Sequence, residues 1–214
     1  MMKALEIPCL TAYDQNSPVE ELALHLNHMD RQSIGHMPWQ DLQLKPAASF
    51  VITHGNDAVF LKYFVEEGTL RSTYVRPNDP VYNDSCVEFF IGFEGEEDYY
   101  NFEFNCAGTC LAGYGTGKER ALLPVNEILK IRHHSLIRTL TGKSLLQWEL
   151  TLIIPLEVFI HHRLITLAQV KGRGNFFKCG DEMPEPHHLT WAPIRSPYPD
   201  FHLSRFFGDL HFLS

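Results

Sequence analysis

The chain has 214 residues, 44% of them hydrophobic and 12% aromatic, which is enough apolar material for one packed domain and too much for a disordered chain. Its formal charge of −8 argues against a nucleic-acid backbone or an anionic membrane as partner. No run of about 18 apolar residues is present to span a bilayer.

The N-terminus, "MMKALEIPCL", lacks the apolar stretch of roughly 7–15 residues that marks a secretory signal. This points to a cytoplasmic chain, or to an export signal outside this sequence. Five cysteines, Cys9, Cys86, Cys106, Cys110 and Cys179, include one C-x3-C but no second pair. They read as buried free thiols suited to a reducing compartment, not as a zinc set or a disulfide framework. Ser17 as N-cap, Pro18 at the first helical position and Glu20 completing a capping box predict a helix running to Met29. Residues 1–34 then form a helical and extended segment packed on a single domain of residues 35–214.

From Phe50 the pattern becomes that of strands. "SFVITHGNDAVFLKYFVEEG" predicts a hairpin around His54–Asp57. "PVYNDSCVEFFIG" (80–92) and "YYNFEFN" (99–105) flank an acidic loop and predict a second hairpin. Side chains of an extended chain alternate between faces. Val87, Phe89 and Ile91 therefore share one face with Tyr100, Phe102 and Phe104. Cys86, Glu88 and Phe90 share the other with Asn101, Glu103 and Asn105. A symmetric register about Gly95–Glu96 sets Glu88 opposite Glu103 and Cys86 opposite Asn105. A one-residue slip would bury carboxylates, so this parity is well specified. "SLLQWELTLIIP", "LITLAQVKG", "FFKCG", "HHLTWAPI" and "DLHFL" supply further strands, with a brief helix at Leu156–His162 and a turn near Val125–Lys130. Many short strands and few helices predict an all-β sandwich or barrel.

Two carboxylates held about 4.5–5.5 Å apart across a strand pair call for a cation, a shared proton or a ligand rich in hydroxyls. Asn101 and Asn105 add amide donors and acceptors to the same face. A sugar suits such a surface; a merely solvated sheet face is the plainer reading. The same pair fits the roughly 5–5.5 Å spacing of a retaining glycosidase. The loop "EGEED" (94–98) and Asp84 supply hard oxygen donors, making Asp84, Glu96, Glu97 and Asp98 candidate calcium ligands. The adjacent pairs His133–His134, His161–His162 and His187–His188 point to opposite faces of any strand and do not read as chelators. "GYGTGKER" (113–120) lacks phosphate-loop spacing and reads as a turn, from which Arg120, with Lys118, reaches the polar face. Lys178, Asp181, His187 and Trp191 lie in a Pro- and Gly-punctuated stretch, 171–194, and the alternation of "LTWAPI" places Trp191 in the core.

In order along the chain, "VYNDSCVEFFIG", "YYNFEFNCAGT", "GNFFKCGD", "LTWAPI" and "YPDFHLSRFFGDLHF" resemble carbohydrate-binding module family 9, most closely the family-9-like proteins of gut Bacteroidetes. The resemblance spans roughly residues 35–214. It implies a DOMON-like antiparallel β-sandwich, here with a short N-terminal helix, that binds sugar without cleaving it. It also implies export, frequent attachment to a xylanase or other glycoside hydrolase, and no required cofactor, although the family often holds structural calcium. Two rings of the family clamp a terminal sugar; Tyr82 and Phe201 stand where it has Trp. Glu88 corresponds to the family carboxylate, and Glu103 stands where the family places Arg. The expected ligand set is Tyr82, Glu88, Asn101, Glu103, Asn105, Arg120, Lys178 and Phe201, facing the terminal residues of a xylan- or glucan-type oligosaccharide. A glycoside hydrolase using Glu88 and Glu103, and a protein-interaction module on the same fold, are the alternatives.

Overall fold

The structure, a computed structural model, describes residues 3–39, 45–93, 95–139 and 145–214. In chain order its elements are β1 (Ala4–Ile7), α1 (Val19–Leu26), β2 (Gln32–Ser33), β3 (Ala47–His54), β4 (Ala58–Glu67), β5 (Cys86–Phe93), β6 (Tyr99–Asn105), β7 (Cys110–Thr116), β8 (Glu119–Leu122), α2 (Val125–Ile128), β9 (Arg132–Thr139), β10 (Leu146–Pro155), β11 (Lys171–Gly180), β12 (His187–Thr190) and β13 (Gly208–Phe212). One sheet runs β1-β13-β11-β5-β6-β7-β8, with β12 also on β11, and the other β2-β3-β4-β10-β9.

The apolar faces of the two sheets meet. Phe50 of β3 stacks on Phe176 of β11 with ring centroids 3.7 Å apart, and Phe89 of β5 lies 4.9 Å from the same ring. Tyr63 of β4 crosses the core and donates to the Glu88 carbonyl at 2.8 Å. Trp148, Leu150, Leu152 and Ile154 of β10, on one face by alternation, are all buried there. The expected β-sandwich is thus formed, and Trp191 lies in its core. β3 and β4 make the expected hairpin, closed by Gly55 N–H donating to the Ala58 carbonyl at 2.8 Å. In the second hairpin Glu88 pairs with Glu103 and Cys86 with Asn105, the symmetric register.

Several elements differ from expectation. α1 begins at Val19 and ends at Leu26. The Ser17 hydroxyl does not cap it but donates to Asp14 Oδ1 at 3.0 Å, because the turn before the helix competes for that side chain. The stretch 161–170 is irregular; β11 starts at Lys171, so "LITLAQV" forms no strand. The helix expected at Leu156–His162 is a single 3₁₀ turn at Leu156–Val158. β1 pairs with β13 in parallel, so the sheets are not wholly antiparallel. α1 packs Val19, Leu22 and Leu26 on the outer face of the second sheet, against Phe60 and Phe64. There Lys62 donates to the helix carbonyl of Ala23 at 3.0 Å and pairs with Glu149 at 2.7 Å.

The outer face of the first sheet is not wet. The connections around 70–84 and 194–207 fold over it, and Val81, Ile194, Phe201 and Phe207 join Phe90, Tyr99 and Phe177 in a second apolar cluster. Close strand approach helps: a Cβ at Gly174 of β11 would collide with the Phe90 carbonyl of β5. A polar face expected in solvent is therefore enclosed, and what the cover leaves unfilled becomes the site.

Candidate functional site

The register of the first sheet sets side chains in rows across its outer face. One row runs Phe177, Glu88, Glu103, Leu111; the next runs His188, Cys179, Cys86, Asn105. Above them lies a cavity of about 330 Å³ whose lining includes Tyr82, Glu88, Glu103, Arg120, Asp181 and Phe201. Glu88 and Glu103 are 3% and 2% exposed, so both carboxyl groups belong to the interior and open only toward this cavity.

Glu103 stands where the resemblance leads one to expect arginine, and the guanidinium arrives from two strands away. Arg120 of β8 donates from Nη2 to Glu103 Oε1 at 3.1 Å, and Asn101 Nδ2 donates to the same oxygen at 2.9 Å. Gly113 of β7 lies opposite Asn101. A Cβ there would come within 2.9 Å of Asn101 Oδ1 and 3.3 Å of Arg120 Cδ, so the missing side chain makes room for both. Glu103 Oε2, Asn101 Oδ1 and Arg120 Nε are buried and make no hydrogen bond. Buried polar atoms are rarely left so.

Burial pushes the Glu88 carboxyl well above the usual carboxylate range, with Cys179 and Glu103 adding to the shift. Burial also lifts Glu103 to about 7, against the downward pull of Arg120 and Asn101. Both shifts favour the protonated carboxyl, which presents an O–H donor beside an oxygen acceptor.

Tyr82 is 37% exposed and its ring borders the cavity. Phe201 also borders it, but its ring stacks on Phe177 at 4.1 Å and touches Trp39 and His188 at 6.0 and 5.7 Å. Only 8% of it is exposed, so it offers an edge of the cavity wall and not the open platform expected of a sugar clamp.

Three residues of the expected ligand set lie off the cavity lining. Asn101 stands behind Glu103 and orients it. Asn105 is consumed in the fold: it donates to the Tyr74 carbonyl and Asp84, and accepts from Ala107 and Thr109 N–H. Lys178 lies opposite Val87, on the core side of β11. There it pairs with Glu67 at 3.0 Å and donates to His187 Nε2 at 2.7 Å.

The expected calcium ligands do not converge. Asp84 precedes β5 and Glu96–Asp98 follow it, so eight strand residues, about 25 Å, separate them. Asp84 is engaged within the fold: its Oδ2 accepts from Thr73 and Tyr74 N–H and from Asn105 Nδ2, and its Oδ1 pairs with Arg71 at 3.3 Å. Glu96 accepts from Tyr114 Oη and contacts His162 Nε2 at 2.9 Å. Glu94 lies outside the described residues.

Cys179, His188 and His202 line the cavity without having been assigned to it from sequence. The alternation of β11 and β12 carries the signal for the first two. Asp181, just past β11, pairs with His188 at 3.0 Å. His202 is stacked 5.0 Å from Phe90 and contacts Tyr99 Oη at 3.0 Å.

Burial lowers His202 to about 3 and His187 to about 4. A base with a depressed folded value contributes stability above its unfolded value of about 6.5 and loses it as pH falls toward the folded value. The two histidines thus pull the thermal midpoint down as pH falls from about 6.5 toward 3, against the opposite contribution of the raised Glu88 and Glu103 carboxyls, and His202→Phe should remove part of that downward pull. Parallel curves in differential scanning fluorimetry would contradict this.

Two facing sheets, with a part-polar and part-aromatic cavity on the outer face of the first, define the class: a β-sandwich with a covered, cavity-bearing outer face. The chain belongs to carbohydrate-binding family 9, whose model matches residues 19–212. It is 33% identical to a Bacteroides uniformis protein whose suggested role is carbohydrate binding; 99% of this chain covers 100% of that one, with a TM-score of 0.89. It also shares its fold with a family 9 module of Caldicellulosiruptor kristjanssonii. That module's cellotriose complex aligns at TM-score 0.60 and 12% identity, over 99% of this chain and 94% of that one. Its glucose complex aligns at 0.57 and 12%, over 98% and 95%. A search of curated proteins returned no match.

Proposed function

We propose that the cavity binds the terminal unit of a glucan- or xylan-type oligosaccharide and does no chemistry on it. The observation that carries this reading is the Glu88–Glu103 pair, enclosed with Arg120 and with polar atoms of Glu103 and Arg120 that have no hydrogen-bond partner in the protein. Sugar hydroxyls both donate and accept, as such a mixed set requires. Tyr82 adds a ring against which the apolar face of a pyranose packs. A volume of about 330 Å³ is at the small end of ligand sites, roughly 300–1,000 Å³, and suits a chain end. Cellotriose and glucose in the Caldicellulosiruptor module favour gluco-configured ligands. Attachment to a glycoside hydrolase would place this binding beside a cleaving enzyme.

Calorimetric titration with cello- and xylo-oligosaccharides tests the reading. One site per chain is expected, and Tyr82→Ala should weaken binding about threefold to tenfold, the range for loss of one aromatic contact. Absence of heat with every saccharide defeats the reading and favours the protein-interaction alternative. New reducing ends on prolonged incubation would favour the hydrolase.

A further inference from the structure

We propose that Cys86, Glu88 and Cys179 form a binding site for a thiophilic divalent cation of the zinc–cadmium type, with one coordination position directed into the cavity. Antiparallel pairing of β5 with β11 sets Cys86 directly opposite Cys179, and Glu88 follows two residues along on the same face. One ligand atom from each of the three lies within 4.8 Å of the others, and Cys179 Sγ is 3.1 Å from Glu88 Oε1. In a tetrahedral zinc site the metal–sulfur and metal–oxygen bonds are about 2.3 and 2.0 Å, so neighbouring ligand atoms stand about 3.5–3.8 Å apart. Movements of about an ångström convert the observed cluster into that geometry.

All three residues are buried and sit on central strands, which hold their backbones fixed. Among the described residues no Lys or Arg pairs with any of them, although Glu103 in the same row has Arg120. A buried carboxyl without a cation partner is costly when ionised, and a bound ion supplies that partner. Glu88 and Cys179 both reach the cavity lining, which provides the entry path and the fourth ligand. Two sulfurs with one carboxylate select zinc-like ions over calcium or magnesium. Each thiol that ligates, and the Glu88 carboxyl with them, gives up its proton to solvent as its bond to the metal forms.

The test is a Cd²⁺ titration of reduced, saccharide-free protein, followed by the ultraviolet thiolate-to-cadmium absorption. Because no sugar is present, its outcome is separate from that of the sugar-binding reading. One equivalent per chain is expected. The band should be lost in Cys86→Ser and in Cys179→Ser, and Glu88→Gln should weaken affinity at least tenfold. Cys9→Ser, at a half-buried free thiol whose residue pairs with His54 through the backbone alone, should leave the band unchanged. No band in the wild type, or a band surviving both serine substitutions, overturns the proposal. If circular dichroism shows a serine variant unfolded, Glu88→Gln decides, and unchanged affinity there overturns it.

Discussion

Glu88→Ala is expected to weaken oligosaccharide binding about tenfold to a hundredfold. Removing the partner of a buried donor or acceptor costs roughly 1–3 kcal/mol, and here the lost group is central. Glu88 lies across the strand pair from Glu103, at the floor of the cavity, held by its register and by Tyr63 bonded to its carbonyl. Truncation removes the carboxyl and leaves the Cys179 thiol without its acceptor. The Tyr63 bond is to backbone and survives, so the sandwich should still assemble. Glu88→Gln should lose less, because an amide both donates and accepts. Calorimetry on variants with native circular dichroism distinguishes the outcomes; wild-type affinity in Glu88→Ala would remove this residue from the site.

Glu67→Ala should have the largest effect on stability, a loss of about 3–5 kcal/mol, as expected when one partner of a buried ion pair is deleted. Glu67 accepts from Trp148 Nε1 at 2.6 Å and pairs with Lys178 at 3.0 Å, and both charged side chains are buried. Without Glu67 the Lys178 ammonium keeps, among the described residues, His187 and the Cys179 carbonyl oxygen. The double variant Glu67→Leu/Lys178→Met should recover most of the loss, since the uncompensated charge is gone. Denaturant titration provides the measurement. A loss below about 1 kcal/mol would show that the pair does not hold this end of the sandwich.

Where the sequence was legible, strict alternation made it so. Val87, Phe89 and Ile91 against Tyr100, Phe102 and Phe104 left one parity for β5 and β6, and with it the Glu88–Glu103 opposition. β9, "RHHSLIRT", was not legible because an edge strand with little buried surface carries no apolar period. The cover over the polar face was hidden for a similar reason: the connections around 70–84 and 194–207 are irregular and make their contacts singly. Arg120 could be seen to reach the polar face, but its bond to Glu103 depends on β8 folding back along β7 past Gly113. Lys178 was placed in the ligand set without following the alternation of "FFKCG". Read as a strand, its parity with Phe176 sends it to the core side. Asp84 looked like a free oxygen donor because its partners, the Thr73 and Tyr74 amides, are invisible to side-chain patterns.

The central claim is that the cavity floored by Glu88 and Glu103 is where a saccharide is held. Diffraction from crystals soaked in cellotriose tests it most directly. The predicted result is a terminal glucose in that cavity, with hydroxyls within hydrogen-bonding distance of the Glu88 or Glu103 carboxyl and its ring beside Tyr82. A sugar ordered elsewhere on the sandwich, with this cavity filled only by water, would contradict it.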